Sequence, residues 1–273
     1  MRTKEKNAFE SALLSCDYYL RQCNQRYPKN YADFKTSITQ LPGECPDLSV
    51  FLDGLSATAY FDEVTKISVA TGTSVYIHKS DVIPSEDQFK KMHDFGLKLY
   101  SVNWLGDKDL CTPIPIGIPP GSFNGFHGTF IRERIALNSH EKSSKKYEFY
   151  VNFDITTNIV LRKAALEAFM HMPGTFMPNR RLNTQEYLNA IANSKYVICP
   201  PGAGADTYRA WEAIYLGAIP VVLEDFWGFG HLDLPVVKVK SYAEFLKLVR
   251  SDVEILNPIV SRDFIIDLPN KFR

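Results

Sequence analysis

The sequence predicts an α/β protein with two parallel-sheet domains facing a cleft, the N-terminal one reduced. Three observations carry this. Runs rich in β-branched and aromatic residues alternate with helical patterns at the spacing of βαβ units. The 273 residues suit two domains at roughly 150 residues each, each able to bury a core. Residues 138–146 form a polar run without one apolar side chain, which sets the boundary and gives domains 1–140 and 141–273.

The elements follow in order. Residues 7–26 place Phe9, Leu13, Cys16, Leu20 and Cys23 at helical spacing, and residues 27–56, rich in Pro, Gly, Asp and Ser, read as loop with short elements. A helix is expected over 57–67, a buried strand over 73–78 ending in Lys79-Ser80-Asp81, and a helix over 85–95. Ser85 caps that helix, with Glu86 and Asp87 in its first turn, where acids suit the helix dipole. The next strand covers 97–104. Residues 111–128 carry four prolines and four glycines, which excludes a helix or a central strand and leaves an ordered connector. A helical patch at 129–138 leads to the polar boundary.

The second half alternates clearly, as a doubly wound domain does. Strands are expected at 147–153, 195–199, 219–223 and 234–239, and helices at 158–171, 184–193, 208–216 and 242–250. Thr184 is the expected cap of one helix, and Gly217 the expected stop of another.

Composition narrows the function classes. With 31 Lys plus Arg against 31 Asp plus Glu the net charge is zero, which argues against nucleic acid as a partner. No stretch approaches the roughly 18 apolar residues of a membrane span, and the N-terminus lacks a signal-peptide core. The expectation is a cytoplasmic protein with no membrane span, its five scattered cysteines free thiols.

One segment carries chemistry. Residues 194–222 read as strand, glycine loop, helix and strand. Gly202 and Gly204 let backbone approach a ligand, and the loop delivers that ligand to a helix N-terminus whose free N–H groups suit a diphosphate. Arg209 adds a charge-assisted contact, and Glu212, on the same face, reaches a ribose diol. The alternative is a tight connection whose Arg209–Glu212 pair is structural only. Neither GxGxxG nor GxxxxGK[ST] occurs, which counts against dehydrogenases and simple ATPases.

Ser194, Pro201-Gly202, Asp206, Arg209, Glu212, Gly217 and Pro220-Val221-Val222 resemble the donor-binding segment of exostosin-type glycosyltransferases of the GT-B architecture, built from two Rossmann-like domains. The segment from Tyr150 to Asn158 with Arg162, the stretch Pro115-Ile-Gly-Ile-Pro119, and Tyr76-Ile-His-Lys-Ser-Asp81 extend the resemblance over about residues 73–225. The compact form is similar to enzymes that large algal viruses encode, some of them xylosyltransferase-like, which would place it in host-cell cytoplasm.

The resemblance implies an inverting transfer of a sugar, xylose as the best guess, from a UDP-sugar to a glycan hydroxyl. No cofactor is required and the oligomeric state stays open. Donor contacts are expected from Arg162, Gly202, Ala203, Gly204, Asp206, Thr207, Tyr208, Arg209 and Glu212, with Asp206 either positioning the loop or touching sugar. The general base is expected to be Asp81, then His78, with Asp53, Asp62 and Glu63 as outsiders. Asp107-Lys108-Asp109 formally fits a metal-binding Asp-x-Asp but lacks the preceding apolar strand, so no metal site is assigned. Phe226-Trp227-Gly-Phe229 is a candidate stacking wall on the donor side, Asn103-Trp104 and Phe123-Asn-Gly-Phe126 on the acceptor side. A non-catalytic nucleotide- or sugar-binding module of the same fold is the alternative reading.

Overall fold

The computed structural model describes residues 19, 23, 25–26, 49–53, 57–58, 61, 72–119, 129–131, 133, 145–251, 264 and 267–272. The chain divides into two compact units, one spanning Ser15–Ile116 and the other taking in Gly117–Arg273. The division falls at the proline-rich connector, ahead of the polar run 138–146 where the sequence places it.

In the first unit five strands, β1 (Gln25–Arg26), β2 (Ser49–Asp53), β3 (Ser74–His78), β4 (Lys98–Ser101) and β5 (Thr112–Pro113), run parallel in sequential order. β1 corrects the expected helix, because Gln25 and Arg26 pair with Val50 and Phe51 instead of continuing a helical turn. The rest of that helix lies outside the described residues apart from Tyr19, which is helical, and Cys23. β2 is one of the short elements expected within 27–56, its Val50 and Leu52 fully buried. Pro113 sits in β5, at the edge of the sheet among the described strands, where a missing N–H is tolerated. Helix α1 (Glu86–Asp94) has the expected Ser85 cap, completed to a capping box by Gln88, and buries Phe89 and Met92 against Val75, Ile77 and Leu99.

The second unit has β6 (Tyr147–Tyr150), β7 (Thr175–Phe176), β8 (Ser194–Ile198), β9 (Ile219–Leu223) and β10 (Val237–Val239), all parallel, in the order β7-β6-β8-β9-β10. Its helices are α2 (Ile159–Phe169), α3 (Thr184–Ala192), α4 (Tyr208–Tyr215) and α5 (Tyr242–Arg250). Asn183, one residue before the expected Thr184, caps α3 and closes a capping box with Glu186. Gly217 ends α4 with φ +68°, the left-handed geometry in which glycine carries no Cβ penalty. Phe149, Phe169, Tyr196 and Phe245 interlock in the core, with ring centroids 5.1–6.2 Å apart.

The strand order positions the site. Counting from β6, the sheet reads 2-1-3-4-5, so the chain reverses direction between β6 and β8. In open parallel sheets ligands bind at the carboxyl ends of the two strands flanking such a reversal, because their loops diverge and leave a crevice. Here those are the loops 151–158 and 199–207. Among the described strands of the first unit the order never reverses.

Candidate functional site

Two segments meet at the reversal. Arg162, buried on α2, donates from Nε to the Pro201 carbonyl at 3.0 Å and from Nη1 to the Asp154 carbonyl at 2.5 Å. Asn158, the cap of α2, donates to the Gly202 carbonyl at 3.2 Å. These bonds join the β6 loop to the glycine loop. Arg162, expected on a diphosphate, spends two of its donor positions on the chain itself and holds the cradle together.

Gly202 is required by that contact. A Cβ there would stand 2.6 Å from Arg162 Nη2, and the guanidinium is pinned by its two carbonyls. Gly202→Ala is expected to cost about 1–3 kcal/mol through this clash, read as a lower urea midpoint. Adding Arg162→Ala should make the pair clearly less than additive. An unchanged midpoint for the single variant would show that the loop yields without cost.

Asp206 turns inward. Its carboxylate accepts Trp211 Nε1 at 2.9 and 2.8 Å and the Thr207 N–H at 2.7 Å, so it positions the loop against α4. Thr207 caps α4 by position but makes no side-chain cap bond, and Tyr208 opens the helix half-buried beside it. Ala203 is exposed at the loop tip, while Gly204 is buried and accepts the Gly202 N–H at 2.9 Å.

Arg209 differs from its neighbours. Its Nε and Nη1 are shut off from solvent and have no hydrogen-bond partner. Its guanidinium lies 5.6 Å from the Phe153 ring centroid, and that of Arg162 5.7 Å from the same ring. Burial raises Tyr150 and Cys199 each to about 12, so both stay neutral beside it near pH 7. Unmet buried donors on a permanent cation are rare in native proteins. Glu212, buried on the same helix, accepts from Tyr187 Oη at 2.6 Å. The structural pairing of Arg209 with Glu212 is therefore not what occupies these two nitrogens.

Sequence reasoning passed over Phe153, Tyr150 and Tyr187. Phe153 lies inside the segment from Tyr150 to Asn158, and Tyr187 falls on the helix expected over 184–193, where neither stands out by residue type. The aromatic wall is corrected as well. Trp227 and Phe229 are buried against Trp211 and Phe272, with centroids 5.2–5.7 Å apart. Of that group, Phe226 and one side of Trp227 line the small cavity bounded by Pro201, Asp206 and Thr207, and Phe229 does not. Trp104 is buried against Phe89 and bonds the Asp107 carbonyl through Nε1. Phe123 and Phe126 lie outside the described residues.

In the first unit Asp81 is exposed in the bend after β3. His78 is fully buried, accepts the Lys79 N–H at Nδ1 (2.8 Å), and therefore donates from Nε2 to the Pro115 carbonyl (3.2 Å). Burial lowers its pKa to about 4. With both nitrogens committed to backbone, it is a structural histidine and not a base facing substrate. Asp53 ends β2 opposite His78 in register, while Asp62 and Glu63 lie outside the described residues. Asp107 Oδ1 accepts the Asp109 N–H at 2.9 Å in an exposed turn, and no metal-holding cluster of His, Cys, Asp or Glu occurs among the described residues. No helix among them is long and apolar enough to cross a membrane.

Residues 138–251 match the family model of the RXYLT1 C-terminal domain. That range contains the whole of β6 to α5 and the segment 194–223 on which the exostosin resemblance is strongest. A glycosyltransferase domain thus stands in the C-terminal half. A solved structure, the α,α-trehalose-phosphate synthase (UDP-forming) from Burkholderia vietnamiensis, is similar over 94% of this chain and 80% of that one, with 12% identity and a TM-score of 0.44. No curated protein sequence matches.

Proposed function

We propose that this glycosyltransferase binds a nucleoside-diphosphate sugar, UDP-linked, at the β6–β8 reversal and transfers the sugar with inversion to a hydroxyl of a glycan acceptor. One observation carries the donor assignment: Arg209 holds two buried, unmet N–H donors at the start of α4. A diphosphate supplies the acceptor oxygens and the negative charge that these donors and the helix N-terminus favour. As the glycosidic bond breaks, charge grows on the departing diphosphate, so the same donors stabilise the transition state more than the ground state. Glu212 takes the ribose hydroxyls, while Arg162, Asp206 and Gly202 shape the loop. Ala203, Gly204, Thr207 and Tyr208 contribute backbone to the cradle.

Inversion needs a base for the acceptor hydroxyl, and Asp81, exposed at the carboxyl end of β3, is assigned that role. Xylose is the sugar the family match favours, and the reaction is assigned no metal. Donor hydrolysis with a panel of UDP- and GDP-sugars, with and without EDTA, tests the whole reading. UDP at 100 times its Kd should stabilise the protein by about 2.7 kcal/mol, read as a higher melting temperature. UDP-xylose should turn over without metal, and Asp81→Asn should lose turnover but keep UDP binding. No thermal shift with any nucleotide would sink the donor assignment. A shift without turnover would favour a binding module.

A further inference from the structure

We propose that Tyr187 is a positioning residue: it holds Glu212 away from Arg209, so that the guanidinium stays open to the diphosphate. The inference rests on the donor reading above and deepens it. Arg209 and Glu212 are three residues apart on α4, a spacing at which oppositely charged side chains meet. Glu212 is buried, where the attraction between such charges is least screened. Side chains so placed would ordinarily form an ion pair, yet Nε and Nη1 of Arg209 have no hydrogen-bond partner.

The reason lies on the neighbouring helix. Tyr187 Oη donates to Glu212 Oε2 at 2.6 Å, the length of a strong charge-assisted bond. The phenol is fixed from behind by Tyr150, 6.1 Å away between centroids. Its desolvation keeps it protonated, and hence a donor, far above neutral pH. Glu212 is thus anchored to α3 while Arg209 remains on α4 with its donors unmet. The ligand then meets a preformed site and need not first break a buried ion pair, a cost that would otherwise be subtracted from its affinity.

The test is a double-mutant cycle on UDP binding by calorimetry, with Tyr187→Phe, Glu212→Gln and the pair. Phenylalanine keeps the ring and removes only the anchor. Tyr187→Phe is expected to weaken UDP binding about tenfold, the effect of one charge-assisted bond. In the Glu212→Gln background the same change should alter affinity less than about twofold, because a neutral amide cannot form the competing ion pair. The melting temperature of ligand-free Tyr187→Phe should not fall, since a new ion pair replaces the lost bond. Equal losses in both backgrounds, or no loss in either, would overturn the inference while leaving the donor site intact. Absence of UDP binding by the wild type would instead overturn the donor reading and this inference together.

Discussion

Arg209→Met should weaken UDP binding by about 100-fold and, without ligand, raise the melting temperature. Both effects come from the same two nitrogens. Nε and Nη1 are buried without hydrogen-bond partners. Leaving such donors unmet costs about 1–3 kcal/mol, more for charged groups. Methionine fills similar space beside Phe153 with no donor to satisfy, so the ligand-free protein should gain several degrees. With ligand the balance reverses. Two charge-assisted bonds to phosphate oxygens vanish, and at about 1.5 kcal/mol each they amount to roughly 100-fold in affinity. Calorimetry with UDP and thermal melts of the apo protein read the two halves separately. A structural Arg209 would give the opposite pattern, with a lower melting temperature and little change in affinity.

The parts of this architecture that were legible share a local cause. β3, α1, α4 and β9 each announce themselves within ten residues: β-branched runs, a Ser85 cap, a glycine stop at Gly217, a fully apolar strand. β2 could not be placed because the breaker residues Pro42, Gly43 and Pro46 precede it and Gly54 follows it, and its strand character comes from pairing with β3. β7 is two residues long and carries no periodicity to read. The order β7-β6-β8 is a matter of long-range pairing, so the reversal that creates the crevice could not be read from any window of sequence.

The candidate site follows the same division. Gly202, Arg209 and Glu212 stand out as candidates in the sequence because loop, cap and helix lie in one short segment. The partners that decide their roles come from elsewhere: Arg162 meets Pro201 across 39 positions and Tyr187 meets Glu212 across 25. Residue type also misled. An arginine near a phosphate loop reads as a ligand contact, yet Arg162 serves two carbonyls. A tryptophan and a phenylalanine after β9 read as a stacking wall, yet both pack on Trp211, and Trp227 alone of the two also lines the small cavity.

His78 is the second place where a polar residue matters through what it cannot do. Its pKa is about 4 in the folded chain against an ordinary 6.5, chiefly because burial penalises the imidazolium, with the Lys79 charge acting in the same direction. The bonding explains why protonation is resisted: Nδ1 accepts the Lys79 N–H, and a proton there would set two donors against each other. Between pH 6.5 and about 4 the unfolded chain therefore binds a proton that the folded chain refuses. Stability is intact above about pH 6.5, falls as pH drops through that window, and levels off below about 4. At 1.36 kcal/mol per pKa unit the full loss is about 3 kcal/mol. His78→Gln keeps a donor for Pro115 and does not titrate, so the difference in unfolding free energy between wild type and variant should shrink by that amount from pH 7 to pH 4. Parallel curves across the range would mean that the imidazole is already free to take a proton. That result would return His78 to the candidates for the base.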